Sequence, residues 1–307
     1  MPTSRCVHRR STDMIGAKSE YFWEDLYPSG VCQLSDLIKS ALDQEIVCLP
    51  KRPVSDEETR YPINEASMRA FLETFFTRHL FQVQRSLAEY IASIDFRKAA
   101  QSGLLRILDI GAGPAVASLG IIDMIHRTAG HEGLRTGVRP RGMRLLHVLN
   151  DTSHVCLTTG KHMLAACHGL GRHFGLALSD DRVLTLSTAF PSNMRQIQRL
   201  ASFLGGYDII ILSYVVTPLT DDYGLQSLAA AMRAFERLCR PCGRILVVQD
   251  QFQKSLIQSL SHLLHAEYRE HTVTQEIYLR CSPKTMPVEM REYPITGVWF
   301  WIERVLS

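Results

Sequence analysis

The run Ile107-Leu108-Asp109-Ile110-Gly111-Ala112-Gly113-Pro114-Ala115 constrains the fold of this 307-residue chain more than any other stretch. An apolar strand ends in a carboxylate, turns through two glycines and enters a helix. Glycines allow a ligand to lie close to the backbone, and a helix start presents unpaired N–H groups to an anionic part of it. Pro114 suits the first helical position, where its missing donor is not needed. Spacing excludes two other nucleotide loops. Counting a G-x-G-x-x-G fingerprint from Gly111 puts Val116 at its last position, and no Gly-Lys-Ser/Thr follows as a P-loop requires.

From Leu104 onward strand-like apolar runs alternate with amphipathic helices, the pattern of a parallel sheet wrapped by helices. The predicted strands are Leu104–Ile110, Arg144–Leu149, Arg182–Leu186, Tyr207–Val216 and Arg244–Gln249, followed by two β-rich runs, His271–Arg280 and Tyr293–Val305. Predicted helices cover Pro114–Arg127, Val155–Phe174, Leu225–Arg240 and Ser255–Tyr268. The first hundred residues differ. Ile63–Ala92 carries apolar residues at three- and four-residue steps behind a possible cap, Asn64, and predicts one long helix. Another helix is expected over Leu34–Leu42, a loop over residues 50–62, and an aromatic cluster at Tyr21, Phe22, Trp23 and Tyr27.

The strand–carboxylate–Gly-x-Gly–helix order, set in this alternation, resembles the class I S-adenosylmethionine-dependent methyltransferases over roughly residues 100–307. The resemblance implies an α/β fold: a seven-stranded, mostly parallel, Rossmann-like sheet with helices on both faces and the last strand inserted antiparallel. Residues 99–307 would form the cofactor-binding domain and 1–98 an N-terminal helical extension acting as a substrate lid.

In open α/β sheets the ligand lies beyond the carboxyl ends of the strands. By resemblance, Asp109 would hold the amino group of the methionine part of S-adenosylmethionine, with Gly111, Ala112 and Gly113 beneath it. Asp151, in an acid-x-Ser turn, would accept the ribose hydroxyls; Asn150 is its rival, and Thr152 would pack on the adenine. The acid often found after the third strand is replaced by Ser187-Thr188, so Thr188 is the candidate there. Ser213 and Tyr214 end the fourth strand, where methyl is delivered, and Tyr214 either orients the substrate or packs in the core. Asp250, after the fifth strand, either positions and deprotonates a nucleophile or is a solvated loop acid. Asp208 begins its strand at the opposite edge and reads as structural.

A net charge of +3, from 34 basic and 31 acidic residues, neither requires nor excludes a nucleic-acid partner. Eight scattered cysteines read as reduced thiols of a cytoplasmic protein. Cys239-Arg240-Pro241-Cys242 lacks a second ligand pair at suitable spacing, so it reads as a turn, and no metal is expected. No apolar run is long enough to span a membrane. Arg127, Arg135, Arg139, Arg141 and Arg144 form a basic insert that resembles an RNA-binding loop but belongs at the edge away from the catalytic mouth. The expected acceptor is a small molecule. Two rivals stand beside it: an RNA methyltransferase, and a non-catalytic cofactor-binding partner protein, motivated by Ala115 at the customary third glycine.

Overall fold

The computed structural model describes residues 23–27, 31–130, 143–171, 182–278 and 290–303. Tyr21, Phe22, the first twelve residues and three arginines of the basic insert (Arg135, Arg139, Arg141) lie outside them.

One eight-stranded sheet organises the chain. Its strands are β1 (Val31–Cys32), β2 (Leu104–Ile110), β3 (Arg144–Asn150), β4 (Arg182–Leu186), β5 (Tyr207–Ser213), β6 (Cys239–Gln249), β7 (Tyr268–Tyr278) and β8 (Met290–Glu303). The order is β4-β3-β2-β5-β6-β8-β7-β1. β4, β3, β2, β5 and β6 are mutually parallel, and β8 enters antiparallel between β6 and β7. This is the seven-stranded class I methyltransferase arrangement the sequence led us to expect. β1 was not expected: it adds an eighth strand, parallel to β7.

The central strands are apolar on both faces because both faces are covered. Leu105, Ile107, Leu149, Ile209, Ile211 and Val248 turn one way; Leu108, Ile110, Val148, Ile210, Leu212 and Val247 turn the other. The first face carries α6 (Val116–Gly130) and α7 (His154–Gly171) together with the N-terminal helices. These are α1 (Asp36–Cys48), α3 (Glu65–Phe71), α4 (Thr77–Ile91) and α5 (Ile94–Gln101), with the short α2 (Asp56–Arg60) against α3. The second face carries α8 (Met194–Leu204), α9 (Val216–Tyr223), α10 (Leu225–Glu236) and α11 (Lys254–Leu263).

The N-terminal extension is a wall of the same core. Phe76, Leu80, Phe81, Val83 and Leu87 are fully buried, each worth roughly 1.5–3 kcal/mol. A buried polar chain ties it to α6: Tyr27 donates to Gln84 Oε1 at 2.5 Å, and Gln84 donates to Asp123 Oδ2 at 2.8 Å. Arg127 donates to the same oxygen at 2.9 Å and lies 4.8 Å from the Tyr27 ring centroid. It is therefore committed to structure, whereas Arg144 is exposed at the start of β3.

Several boundaries differ from expectation for physical reasons. The long helix begins behind the Asn64 cap, whose side chain accepts from Ser67 N–H at 3.0 Å, but widens into a π-helical turn at Leu72–Phe76 before α4. α6 starts at Val116, not Pro114, because Ala115 takes a left-handed φ of 61°. β5 stops at Ser213 because Tyr214 is left-handed too, at φ 61°. Cys239–Cys242 is a bulge within β6: Cys239 pairs with Tyr207 while Arg244 pairs with Ile209, and Cys242 is left-handed. α2, α5, α8 and α9 were not foreseen.

His147, in the middle of β3, is fully buried, and neither ring nitrogen has a hydrogen-bond partner among the described residues. Burial, with His168 adding to it, pushes its pKa down to about 3.

Candidate active site

The carboxyl ends of β2 and β3 meet at the glycine turn. Asp109 is fully buried there; its Oδ2 accepts from the Ser118 N–H at 3.2 Å and the Ser118 hydroxyl at 3.0 Å, which anchors α6. Its Oδ1, equally buried, has no hydrogen-bond partner among the described residues. Burial raises the carboxyl to about 7, against the lowering effect of the Ser118 hydrogen bonds.

The two glycines of the turn are required for different reasons. Both have positive φ, 64° at Gly111 and 52° at Gly113. A Cβ on Gly111 would lie 1.7 Å from Val215 Cγ1, so the start of α9 fills that space. A Cβ on Gly113 would meet nothing within 4 Å. Open room at the turn is thus at Gly113, and Gly111 serves packing between β2 and β5. The Ala112 amide is already used, donating to the Asn150 carbonyl at 2.9 Å.

Asp151 follows β3, half-buried. Its Oδ2 accepts from Gly113 N–H at 2.9 Å and its Oδ1 from Ser153 N–H at 2.8 Å, so one carboxylate fastens the glycine turn to the start of α7. Burial raises its pKa, and those backbone bonds oppose the rise. Its rival Asn150 is buried and committed: its amide donates to the carbonyls of Leu186 at 2.9 Å and Thr188 at 2.7 Å. Of the two, Asp151 alone has surface to offer a ligand. Thr152 and Thr188 are exposed beside these tips, while Ser213 is buried at the end of β5. The carbonyl of Thr188 also accepts from Asn193 at 3.1 Å, a buried amide that sequence reading passed over.

A second cluster lies at the ends of β5 and β6, and α4 completes it. Tyr214 donates its hydroxyl to Gln82 Oε1 at 2.7 Å and stacks on His79 with centroids 4.1 Å apart and planes at 17°. Phe75 also stacks on His79 at 5.8 Å, and Phe71 meets both Phe75 and His79. Asp250 Oδ1 accepts from Arg78 and from Gln82, each at 3.4 Å. Burial lowers His79 to about 3, with the Arg78 charge adding to the effect, so its imidazole is neutral. Burial raises Tyr214 well above its ordinary value, and Asp250 adds to that, so it stays a phenol. Tyr214 and Asp250, named from the sequence, thus share one network with Arg78, His79 and Gln82, which were not. Gln249, at the end of β6, donates to Thr217 at 2.8 Å behind them.

Asp208 lies at the opposite edge, as expected. It accepts from the Arg106 amide at 2.8 Å and pairs with Arg106 and Arg240 at 3.5 and 3.7 Å.

No protein-family model and no curated protein matches the chain. Solved structures do. A SAM-dependent methyltransferase from Agrobacterium tumefaciens is 14% identical, with 76% of this chain and 64% of that one covered at a TM-score of 0.41. A precorrin 8w decarboxylase from Methanobacterium thermoautotrophicum is 13% identical, covering 68% and 89% at 0.36. An rRNA methylase from Streptococcus thermophilus is 8% identical, covering 67% and 92% at 0.32. At this level of overlap, the fold assignment rests on strand order and register instead.

Proposed function

We propose that the chain is an S-adenosylmethionine-dependent methyltransferase acting on oxygen or nitrogen of a small-molecule acceptor. The observation that carries this reading is Asp109 Oδ1, a fully buried carboxylate oxygen with no partner among the described residues, near the end of β2 and two positions before the glycine turn. Buried polar atoms are almost always hydrogen-bonded, so an orphan at a strand tip asks for a ligand donor. A cationic amino group would match its charge as well as its geometry. Asp151, one strand over, retains acceptor capacity beyond its two backbone bonds and would take the ribose hydroxyls. Thr152 and Thr188 would border the adenine, and Ser213 the methyl-bearing end.

When bound, the cofactor supplies a methyl group on a cationic sulfonium, which leaves as a neutral thioether. Asp109 and Asp151 hold and orient it. Tyr214, kept neutral, orients the acceptor, and Asp250 takes the proton the acceptor gives up. The extension serves as substrate lid through the π-helical turn and α4, which bring Phe75 and His79 over the acceptor side and limit water there. Alignment of nucleophile and methyl carbon supplies roughly 7–11 kcal/mol, so a strong base is not needed.

The test is transfer of labelled methyl into cell extract fractionated into RNA, protein and small molecules. Label should enter the small-molecule fraction and vanish with Asp109→Ala. Label in RNA would replace the acceptor class. A wild-type chain that fails to bind S-adenosylmethionine would overturn the reading.

A further inference from the structure

Gln82 is 2% exposed, and its side-chain amide bonds in both polarities. Its nitrogen donates to the Thr296 carbonyl at 2.6 Å and to Asp250 Oδ1 at 3.4 Å. A backbone carbonyl only accepts, so the amide has one possible orientation. Its oxygen then faces Tyr214, whose single proton is committed to it at 2.7 Å. The phenol oxygen has nothing left to donate and only lone pairs to offer. Asp250 behaves alike: Arg78 and Gln82 both use Oδ1, and Oδ2 takes no hydrogen bond from the described residues, though the side chain is 33% exposed. Both polar groups held out at these strand tips are therefore acceptors. Flat faces stand beside them: neutral His79 stacks on Tyr214, and Phe71 and Phe75 meet His79 in turn. Phe252, 90% exposed, follows two residues after Asp250.

Two backbone features mark this corner as built for a purpose beyond packing. α4 is preceded by a π-helical turn, and Tyr214 is held in a left-handed conformation; both devices concentrate at functional sites.

We infer that the methyl acceptor is a planar aromatic molecule bearing an N–H or O–H group, which it donates to Tyr214 Oη or Asp250 Oδ2, with Gln82 as the positioning residue that sets this polarity. The inference rests on the methyltransferase reading. It also has a consequence for turnover. Methylation of a hydroxyl removes its proton, so the ether product faces two acceptors with no donor, and a site built around a hydrogen bond rejects the analogue that lacks it.

The probes are 1-naphthol and 1-methoxynaphthalene, which differ by that one donor, titrated by NMR with S-adenosylhomocysteine present. In the wild type, 1-naphthol should bind about tenfold tighter, the worth of one hydrogen bond. Gln82→Leu frees the Tyr214 proton to donate to the ether oxygen, so the preference should fall to about twofold or reverse. Gln82→Glu still accepts that proton and should keep the preference, which a merely structural role for Gln82 would not predict. Should Gln82→Leu fail to fold, Tyr214→Phe removes one of the two acceptors while preserving the ring and should reduce the preference. Equal binding of the two probes to the wild type, binding of neither, or an undiminished preference in Gln82→Leu or in Tyr214→Phe would overturn the inference. The same titration separates the levels. Failure to bind S-adenosylhomocysteine removes the methyltransferase reading, whereas binding without probe preference removes only this inference.

Discussion

The two halves of the site are made in opposite ways. At the tips of β2 and β3 the two carboxylates bind only within two short segments, residues 109–118 and 150–153, reaching residues at most 38 positions away. At the tips of β5 and β6 the same kind of loop depends on a helix far upstream: Tyr214 reaches Gln82 across 132 positions and Asp250 reaches Arg78 across 172. The carboxylate contacts of the first half are local in the chain. The second half exists only once the N-terminal wall has docked.

The sharpest way to break that comparison is at the joint between the halves. Gly111→Ala should destabilise the protein by about 2–5 kcal/mol, adding overpacking against Val215 to a left-handed alanine. Gly113→Ala, with open space, should cost only the backbone part, about 1–2 kcal/mol. Thermal melts of the two variants decide it, and equal losses would mean Val215 is not a wedge.

Next comes Asp109→Asn. Losing a charged hydrogen bond of about 3 kcal/mol should weaken S-adenosylhomocysteine binding about 100-fold by calorimetry, with the Tyr214 side untouched. The pH dependence follows from the same group. Its pKa in the fold is raised to about 7, above the ordinary carboxylate value, so the empty fold favours the protonated acid and loses stability as pH rises from about 4 to 7. Binding needs the ionised form. Affinity should therefore fall about tenfold for each pH unit below 7, and Asp109→Asn should flatten the profile.

The smallest effect is expected at His147, as deeply buried as Asp109 but in mid-strand, away from both halves. His147→Leu should leave cofactor affinity unchanged and raise stability by about 1–2 kcal/mol, since it removes polar atoms that no partner among the described residues satisfies. Its folded pKa of about 3 lies below the unfolded value near 6.5. The unfolded chain thus binds protons first, and stability drains away as pH falls from about 6.5 toward 3. The variant should lose less over that window in urea titrations, and a loss of binding would deny that this position is purely structural.

What was legible in the sequence follows the same division. Strands buried on both faces announce themselves as continuous apolar runs, and β2, β3 and β5 fell within a few residues of expectation. The end of β5 was overrun because Val215 and Val216 continue the apolar run, while the left-handed Tyr214 that stops it has no sequence signal. β1, at two residues, is too short to show a period. α8 did carry one, Ile197, Ala201 and Leu204 closed by Gly205, and it went unread. On the cofactor side Asp109, Gly113 and Asp151 follow from local pattern, and Asp151 separates from Asn150 only when the latter's partners are seen. Gln82, His79 and Arg78 look like ordinary polar positions of an amphipathic helix, because their meaning comes from strands that follow more than a hundred residues later.

The two-residue strand β1 has a bearing on how this chain behaves in company. By laying Val31 and Cys32 along Glu276 and Ile277, it occupies backbone groups at the outermost long strand of the sheet. An open margin of that kind recruits another polypeptide and seeds clumping. A version trimmed to begin at residue 99 would bare this margin together with the greasy underside of β2 and β6. It would be a sticky fragment in place of a minimal enzyme.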